Sequence, residues 1–323
     1  MIRFRTAFAL LLAVASCTAL AQSPWPTKPV RIVVAYPPGG GIDVMARQLA
    51  DRLGSAWAQP VVVENKPGAN TIVAADAVAK SPADGYTVLM TTDATFSINP
   101  HLYAKLPFDA QRDFIAVTML VLLQQLLVAH PALPADSLQD LVKLAKEKPG
   151  TINYASYGSG SQPHLAGEML KNKAGIDLVH VPYKGISLAV PAVIAGEVQL
   201  TFAGIATSSG PLKAGRIKAL AIGGSKRSPL LPQVPTFTEL GYPEVETHAW
   251  FGFFVPAGSP REAVTRIYQD TRRVLEDAEF RQKQLIDRGY DVVGSAPQDF
   301  SAYIRSDSES RARAVRISGA KAE

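Results

Sequence analysis

A single cysteine occurs in the 323 residues, and it is Cys17, inside an apolar leader. The rest of the chain therefore has nothing from which to build a disulfide, a thiolate metal site or a cysteine nucleophile. The five histidines, at 101, 130, 164, 180 and 248, form no i, i+4 pair and have no neighbouring cysteine, so no zinc motif is present. Only 19% of residues are charged, and 33 basic and 28 acidic side chains are interspersed to a net charge of +5. No basic stripe interleaved with aromatics results, so a nucleic-acid partner is not expected. Beyond the N-terminus no apolar run is long enough to cross a bilayer. Nucleotide and nucleophile motifs fail as well. Gly39-Gly40-Gly41 fits neither G-x-G-x-x-G nor G-x-x-x-x-G-K-[ST], and Gly158-Ser159-Gly160-Ser161 lacks G-x-S-x-G. With no dyad, triad, metal cluster or cofactor motif, an enzyme is not expected, and neither a metal nor a cofactor is.

The leader itself is informative. Arg3 and Arg5 precede an apolar stretch from Ala7 to Ala15, and Ala19-Leu20-Ala21 supplies small residues where a signal peptidase reads them. This predicts a secretory signal peptide, residues 1–21, cleaved after Ala21. Its removal takes away two arginines and no acid, lowering the net charge from +5 to +3, and takes Cys17 with it. Val14-Ala15-Ser16-Cys17 leaves an alternative open: a lipobox, in which Cys17 becomes a lipidated N-terminus. Either way the expectation is an exported protein, soluble or tethered. Its length and its 47% hydrophobic content suit two globular units with cores of their own.

The chain is organised around residues 31–47. Ile32-Val33-Val34-Ala35 reads as a buried strand, Pro37 and Pro38 stop it, and Gly39, Gly40 and Gly41 form a turn. From Ile42 a helix follows, with Ile42, Met45, Leu49, Leu53 and Trp57 on one face. Strand, glycine turn and helix start together expose backbone N–H groups and the positive end of a helix dipole, a ready anion site. Asp43, beside it, reads better as a first-turn residue than as a ligand contact. Strands near 60–65 and 86–90 with a helix at 71–80 continue the alternation, which predicts a parallel sheet with helices on both faces. Ligands bind such sheets beyond the carboxyl ends of the strands, where residues 39–43 and 91–99, including Thr92 and Ser97, would lie.

The apolar run 117–129 is too long for an ordinary strand unless it bends or passes between domains. A second alternating set follows: strands at 152–155, 178–181, 198–203 and 217–222, with helices at 136–148, 163–173 and 187–195. The turns of this set repeat the device, at Gly158-Ser159-Gly160-Ser161 and at Pro182-Tyr183-Lys184-Gly185. The texture then changes to a proline-punctuated stretch, an aromatic strand at 250–255, helices at 260–275 and 278–288, a short strand at 291–293 and a last helix from Pro297. This tail is too small for a third domain and is expected to complete the first. The reading is an α/β, two-lobed architecture, each lobe a mainly parallel sheet flanked by helices, hinged by crossings near 120–127 and 223–229. Lobe 1 would comprise 22–124 and 229–323, and lobe 2 the insert 125–228. Small polar turns opening helices in both lobes, with Tyr36, Tyr183 and Lys184 beside them, suit capture of a carboxylate rather than chemistry upon it.

These segments resemble a known family. Trp25-Pro26-Thr27-Lys28-Pro29-Val30-Arg31-Ile32-Val33-Val34, Tyr36-Pro37-Pro38-Gly39-Gly40 with Asp43, Glu64-Asn65-Lys66-Pro67-Gly68-Ala69, Asp84-Gly85-Tyr86-Thr87 and Asn99-Pro100-His101-Leu102-Tyr103 carry the likeness in the first half. Tyr157-Gly158-Ser159-Gly160-Ser161, His164-Leu165-Ala166-Gly167-Glu168, His180-Val181-Pro182-Tyr183-Lys184-Gly185 and Phe251-Gly252 carry it in the second. The chain is similar to the Bug-type periplasmic substrate-binding receptors of tripartite tricarboxylate transporters. The resemblance implies a type II-like periplasmic-binding-protein fold, a monomer that closes over a small carboxylate and delivers it to a two-subunit membrane permease. It implies ligand contacts from Tyr36, Gly39, Gly40, Gly41 and Asp43, from Thr92 and Ser97, and from Gly158, Ser159, Gly160, Ser161 and His164. Pro182, Tyr183, Lys184 and Gly185, with Ala203 and Gly204, complete the implied cleft. Two departures stand out. Many relatives carry an aspartate where Ala203 and Gly204 stand here, and Asp93 places an acid where small residues are commoner. A ligand-sensing receptor serving a signalling partner is the alternative function.

Overall fold

The computed structural model describes residues 25–245 and 247–320. The leader, with Cys17 and the cleavage site after Ala21, lies outside the described residues. Val30–Val34 (β1) is buried at four of its five positions. It pairs in parallel with Val61–Asn65 (β2) on one side and Thr87–Thr92 (β3) on the other. Helices Gly41–Trp57 (α1) and Ile72–Ala79 (α2) supply the crossovers. The buried face of α1 includes Ile42, Met45, Leu49, Leu53 and Trp57, the face marked by the helical period of the sequence.

Phe114–Ala129 (β4) accounts for the long apolar run. It is one 16-residue strand that belongs to both lobes. Its residues up to Gln124 pair with His248–Pro256 (β9), and Gln125 to Ala129 pair with Leu200–Gly204 (β7). Register shifts between Ala116 and Thr118, Met119 and Val121, and Leu127 and Val128 mark where the strand bends to do so. Beyond β4 come Leu138–Glu147 (α3), Asn153–Ser156 (β5), Gln162–Ala174 (α4), Val179–Pro182 (β6) and Ile186–Ala195 (α5). After β7 follow Ile205–Lys213 (α6) and Lys218–Ile222 (β8). The full strand order is β2-β1-β3-β9-β4-β7-β5-β6, and β8 also pairs with β4. Parallel pairs form the two outer parts, and antiparallel pairs surround β4 and β9 where the chain crosses and returns.

The proline-punctuated segment after residue 229 packs differently from the sequence reading. Val234, Phe237 and Val245 are buried in the cores of the second lobe, and Thr236 bridges to Ile222 at the end of β8. Its scattered apolar residues have no helical or strand period, so only the packing reveals which lobe they cover. The return crossing accordingly falls beside Thr247. There the N–H of Gln125 donates to the Thr247 carbonyl at 3.1 Å, and Thr247 Oγ1 donates to the Gln125 carbonyl at 3.0 Å.

The tail completes the first lobe with Arg261–Glu276 (α7), Tyr290–Val292 (β10) on β4, and Pro297–Ser318 (α8). The helix read at 278–288 is broken into Ala278–Phe280, a π-helical turn Arg281–Leu285 and a 3₁₀ turn Ile286–Arg288. Helix α8 touches both lobes. Phe300 packs edge-on against Trp250 at 5.1 Å in the first, and Val315 packs with Ile98 and with Leu165 of α4 in the second.

Candidate functional site

Three helices begin at glycine: α1 at Gly40, α5 at Gly185 and α6 at Gly204, none with a side-chain cap. A serine or aspartate at these positions would satisfy a first-turn N–H with its own oxygen. Glycine leaves those N–H groups to whatever occupies the space in front of them. That space is one cavity of about 60 Å³ between the lobes, walled by the first residues of all three helices. The packing around these turns is close enough to require the missing side chains. A methyl group on Gly40 would lie 3.3 Å from Ile186 Cγ2, one on Gly185 3.0 Å from Pro37 Cδ, and one on Gly41 2.6 Å from Tyr290 Oη.

No charged side chain lines this cavity. Its polar side chains are hydroxyls and an amide: Tyr36, Thr92, Tyr157, Ser187, Thr207, Tyr290 and Gln125. Tyr36 Oη and Thr92 Oγ1 are hydrogen bonded at 3.0 Å, and Gln125 Nε2 donates to Tyr157 Oη at 2.8 Å. Burial raises both phenols well above their ordinary range, so both remain neutral. Leu123, Ala249, Phe251 and Tyr290 close the remaining wall from β4, β9 and β10. Sequence reasoning missed Gln125, Ser187 and Tyr290, whereas Thr207 falls in the 202–207 turn that the family likeness places at the cleft. Only Gln125 left a signal, as half of the Gln124-Gln125 pair that interrupts the apolar run.

Asp43 does not line the cavity. Its carboxylate accepts from the Gly39 N–H at 2.9 Å, from Arg47 Nη2 at 2.9 Å and from Asn65 Nδ2 at 2.9 Å. Asn65 Nδ2 also donates to the Tyr36 carbonyl at 2.9 Å, so the carboxylate ties both ends of the turn that carries Gly39, at φ 87°. Burial would raise its pKa, but the donors from Arg47, Gly39 and Asn65 outweigh this and hold it below the usual carboxylate range. Ser97 is fully buried in the π-helical turn Ala94–Ile98, and Ala203 is core.

The serine turn of α4 lies elsewhere than directly across from α1; α5 and α6 take that position. Gly158, Ser159, Pro182, Tyr183 and Lys184 line a separate groove of about 460 Å³ with Asn70 and Thr71. Tyr36 and Tyr157 stand between the two spaces, their rings edge-on with centroids 6.0 Å apart. Gly160, in the left-handed region at φ 76°, packs against Leu102, and Ser161 is fully buried. His164 Nδ1 accepts from the Gly160 N–H at 2.9 Å, and its ring stacks on His180 at 3.9 Å. His180 bonds Ser156 Oγ at 2.7 Å, and burial lowers its pKa to about 3, so it acts as a neutral support for the turn.

Asp93 faces away from the cavity into a buried cluster. Arg311 Nη2 lies 3.4 Å from Asp93, Arg311 Nε lies 3.3 Å from Asp307, and Trp250 Nε1 donates to Asp307 at 2.9 Å. His248 Nε2 is 3.7 Å from Asp307. Burial raises the Asp93 carboxyl to about 6 against the pull of Arg311. Asp307, equally buried, is held well below its ordinary value by His248, Arg311 and Trp250. Among the described residues no group of three His, Cys, Asp or Glu side chains is placed to hold a metal, and no helix is long and apolar enough to cross a membrane.

The chain matches the pattern of the tripartite tricarboxylate transporter family receptors over residues 45–319. BugT of Bordetella pertussis is 32% identical over 327 residues, covering 99% of each chain. Among solved structures, an R. palustris protein with adipate superposes with a TM-score of 0.88 at 33% identity, covering 92% of this chain and 99% of that one. MatC from Rhodopseudomonas palustris with bound malate superposes with a TM-score of 0.84 at 28% identity, covering 91% of this chain and all of the other.

Proposed function

Because the chain belongs to the tripartite tricarboxylate transporter receptor family, we propose that it captures a small organic carboxylate between its lobes and hands it to a two-subunit membrane permease. The family comprises periplasmic solute-binding receptors and not enzymes. One observation carries the carboxylate reading: three uncapped helix starts converge on one cavity that holds no competing acid. The adipate and malate bound by relatives accord with it.

In this proposal Gly40, Gly41 and Gly204 present backbone donors, and Tyr36 and Thr92 present hydroxyls, joined by Gln125, Ser187 and Thr207. Asp43 and Gly39 hold the first turn in shape. His164, with Gly158, Ser159, Gly160 and Ser161, shapes the second groove, beside Pro182, Tyr183, Lys184 and Gly185. Ala203 backs Gly204. Lobe 1 runs to residue 124 and resumes near 248, with 125–247 as the insert, so that ligand binding is coupled to lobe closure. The protein acts as a monomer, exported and cleaved after Ala21; an acylated mass beginning at Cys17 would make it a lipoprotein instead. Thermal-shift screening of carboxylic acids against their neutral amides tests the function. Acids that raise the melting temperature while the matched amides do not support it, and amides that match or exceed the acids overturn it.

A further inference from the structure

Resting on the carboxylate reading above, we propose that this cavity selects a carboxylate with a single charge on an apolar body, in preference to di- and tricarboxylates. Backbone donors are gathered at the three helix starts, and the other polar groups of the cavity, its hydroxyls and the Gln125 amide, are all uncharged. Much of the remaining lining is apolar: Leu123, Ala249, Phe251, Ile205 at the start of α6 and the ring of Tyr290 are all buried. A second carboxylate pressed against them would give up its hydration and gain no partner, whereas carbon and hydrogen gain by leaving water.

None of the surrounding charges lines the cavity. Asp43 is engaged by Arg47, and Asp93 points into the cluster of Arg311. Lys184 lines the groove beyond the Tyr36–Tyr157 pair, and Arg288 lines an outer groove of about 350 Å³ at the cavity's mouth. The polar side chains that do line the cavity are uncharged. Gln125 is 2% exposed and lines the cavity, and its Oε1 has no hydrogen-bond partner among the described residues. Turning the carboxamide over lets Tyr157 donate to Oε1 and leaves Nε2 unmet instead. Both settings leave one amide atom for an uncharged hydrogen bond to a ligand, and neither supplies a countercharge.

The test is calorimetric titration of the wild-type mature chain, so that no variant has to fold. Benzoate and hexanoate are the apolar monocarboxylates; succinate, adipate, malate and citrate are the polycarboxylates; benzamide and hexanamide are the neutral controls. At least one monocarboxylate should bind more than about tenfold tighter than every polycarboxylate, about 1.4 kcal/mol in binding free energy. A polycarboxylate that binds within tenfold of the best monocarboxylate, or tighter, overturns the proposal while leaving the carboxylate function standing. Amides that bind as well as their acids, or no binding by any acid, overturn the carboxylate reading and this selectivity together.

Discussion

Gly40 and Ile186 meet across the cleft, one opening α1 in the first lobe and the other opening α5 in the second. A methyl group on Gly40 would stand 3.3 Å from Ile186 Cγ2, so there is room for contact but none for a branched side chain. The backbone at Gly40, φ −78° and ψ 165°, is one that any residue adopts. Gly40→Val should therefore fold, with its lobes held further apart. Its carboxylate affinity should fall by about tenfold or more, and Ile186→Ala in the same chain should restore part of it, because the two sites are in direct contact. Calorimetry on the two single variants and the double variant measures this, and unaltered affinity in Gly40→Val would remove this turn from the site.

Gly204→Ser poses the converse question. The backbone at Gly204, φ −65° and ψ 156°, suits a capping serine, and a Cβ there makes only ordinary contact, 3.4 Å from Leu123. The new hydroxyl should take a first-turn N–H of α6 for itself. Thermal stability should hold or rise slightly, while ligand affinity drops about fivefold or more, the worth of one hydrogen bond at about 1 kcal/mol. Retained affinity would show that the start of α6 does not touch the ligand.

Asp43→Ala should loosen the first turn without removing any group that lines the cavity. With three donors left unmet, the expected cost is about 1–3 kcal/mol of stability near neutral pH. The pH dependence follows from the lowered pKa. A depressed carboxylate contributes stability above its unfolded value of 3.8 and loses it as pH falls through the folded value. The gap in melting temperature between wild type and variant should thus be full at pH 6 and close below about pH 4. A gap that persists unchanged in acid would point to lost packing rather than lost charge.

How much of this was legible beforehand depends on the kind of information each residue carries. The buried face of α1 repeats with the helical period, so Leu49 and Trp57 could be placed from spacing alone. The glycine turn likewise announces a backbone approached closely by something. Four turns of this kind open helices, however, and nothing in their composition says which of them face one another. Packing decides it, bringing Gly185 and Gly204 opposite Gly40 and leaving Gly160 against Leu102. Tyr290 and Phe251 come from the tail, more than two hundred residues after Tyr36, and carry no mark of a binding role. The segment holding Phe237 and Val245 has no periodicity to assign it to either lobe.

Asp93 gives an opposite pH signature. Its folded pKa of about 6 lies above its unfolded value of 3.8, so the folded state holds this proton more tightly. Stability from this group is full below about pH 4 and is lost as pH rises to 6. Arg311, Asp307 and His248 cluster with it and the neutral phenols of Tyr36 and Tyr157 lie near it; Asp307, with its lowered pKa, titrates below this window. Asp93→Asn should flatten the change in unfolding free energy between pH 4 and 6, which is about 2 kcal/mol for a shift of this size. Chemical denaturation across that range checks it, and an identical slope in the variant would assign the titration elsewhere.

Because β4 runs unbroken through both sheets and is pinned to the return strand where Gln125 and Thr247 exchange hydrogen bonds, neither half is a separable module. Cutting the chain at this point would expose the unpaired edge of a long apolar strand in each fragment, an invitation to aggregate. Mechanically the connection is a leaf spring rather than a loose tether. Rocking of the lobes would have to bend and twist it at its bulges, and the two lobes should melt together, as one cooperative unit.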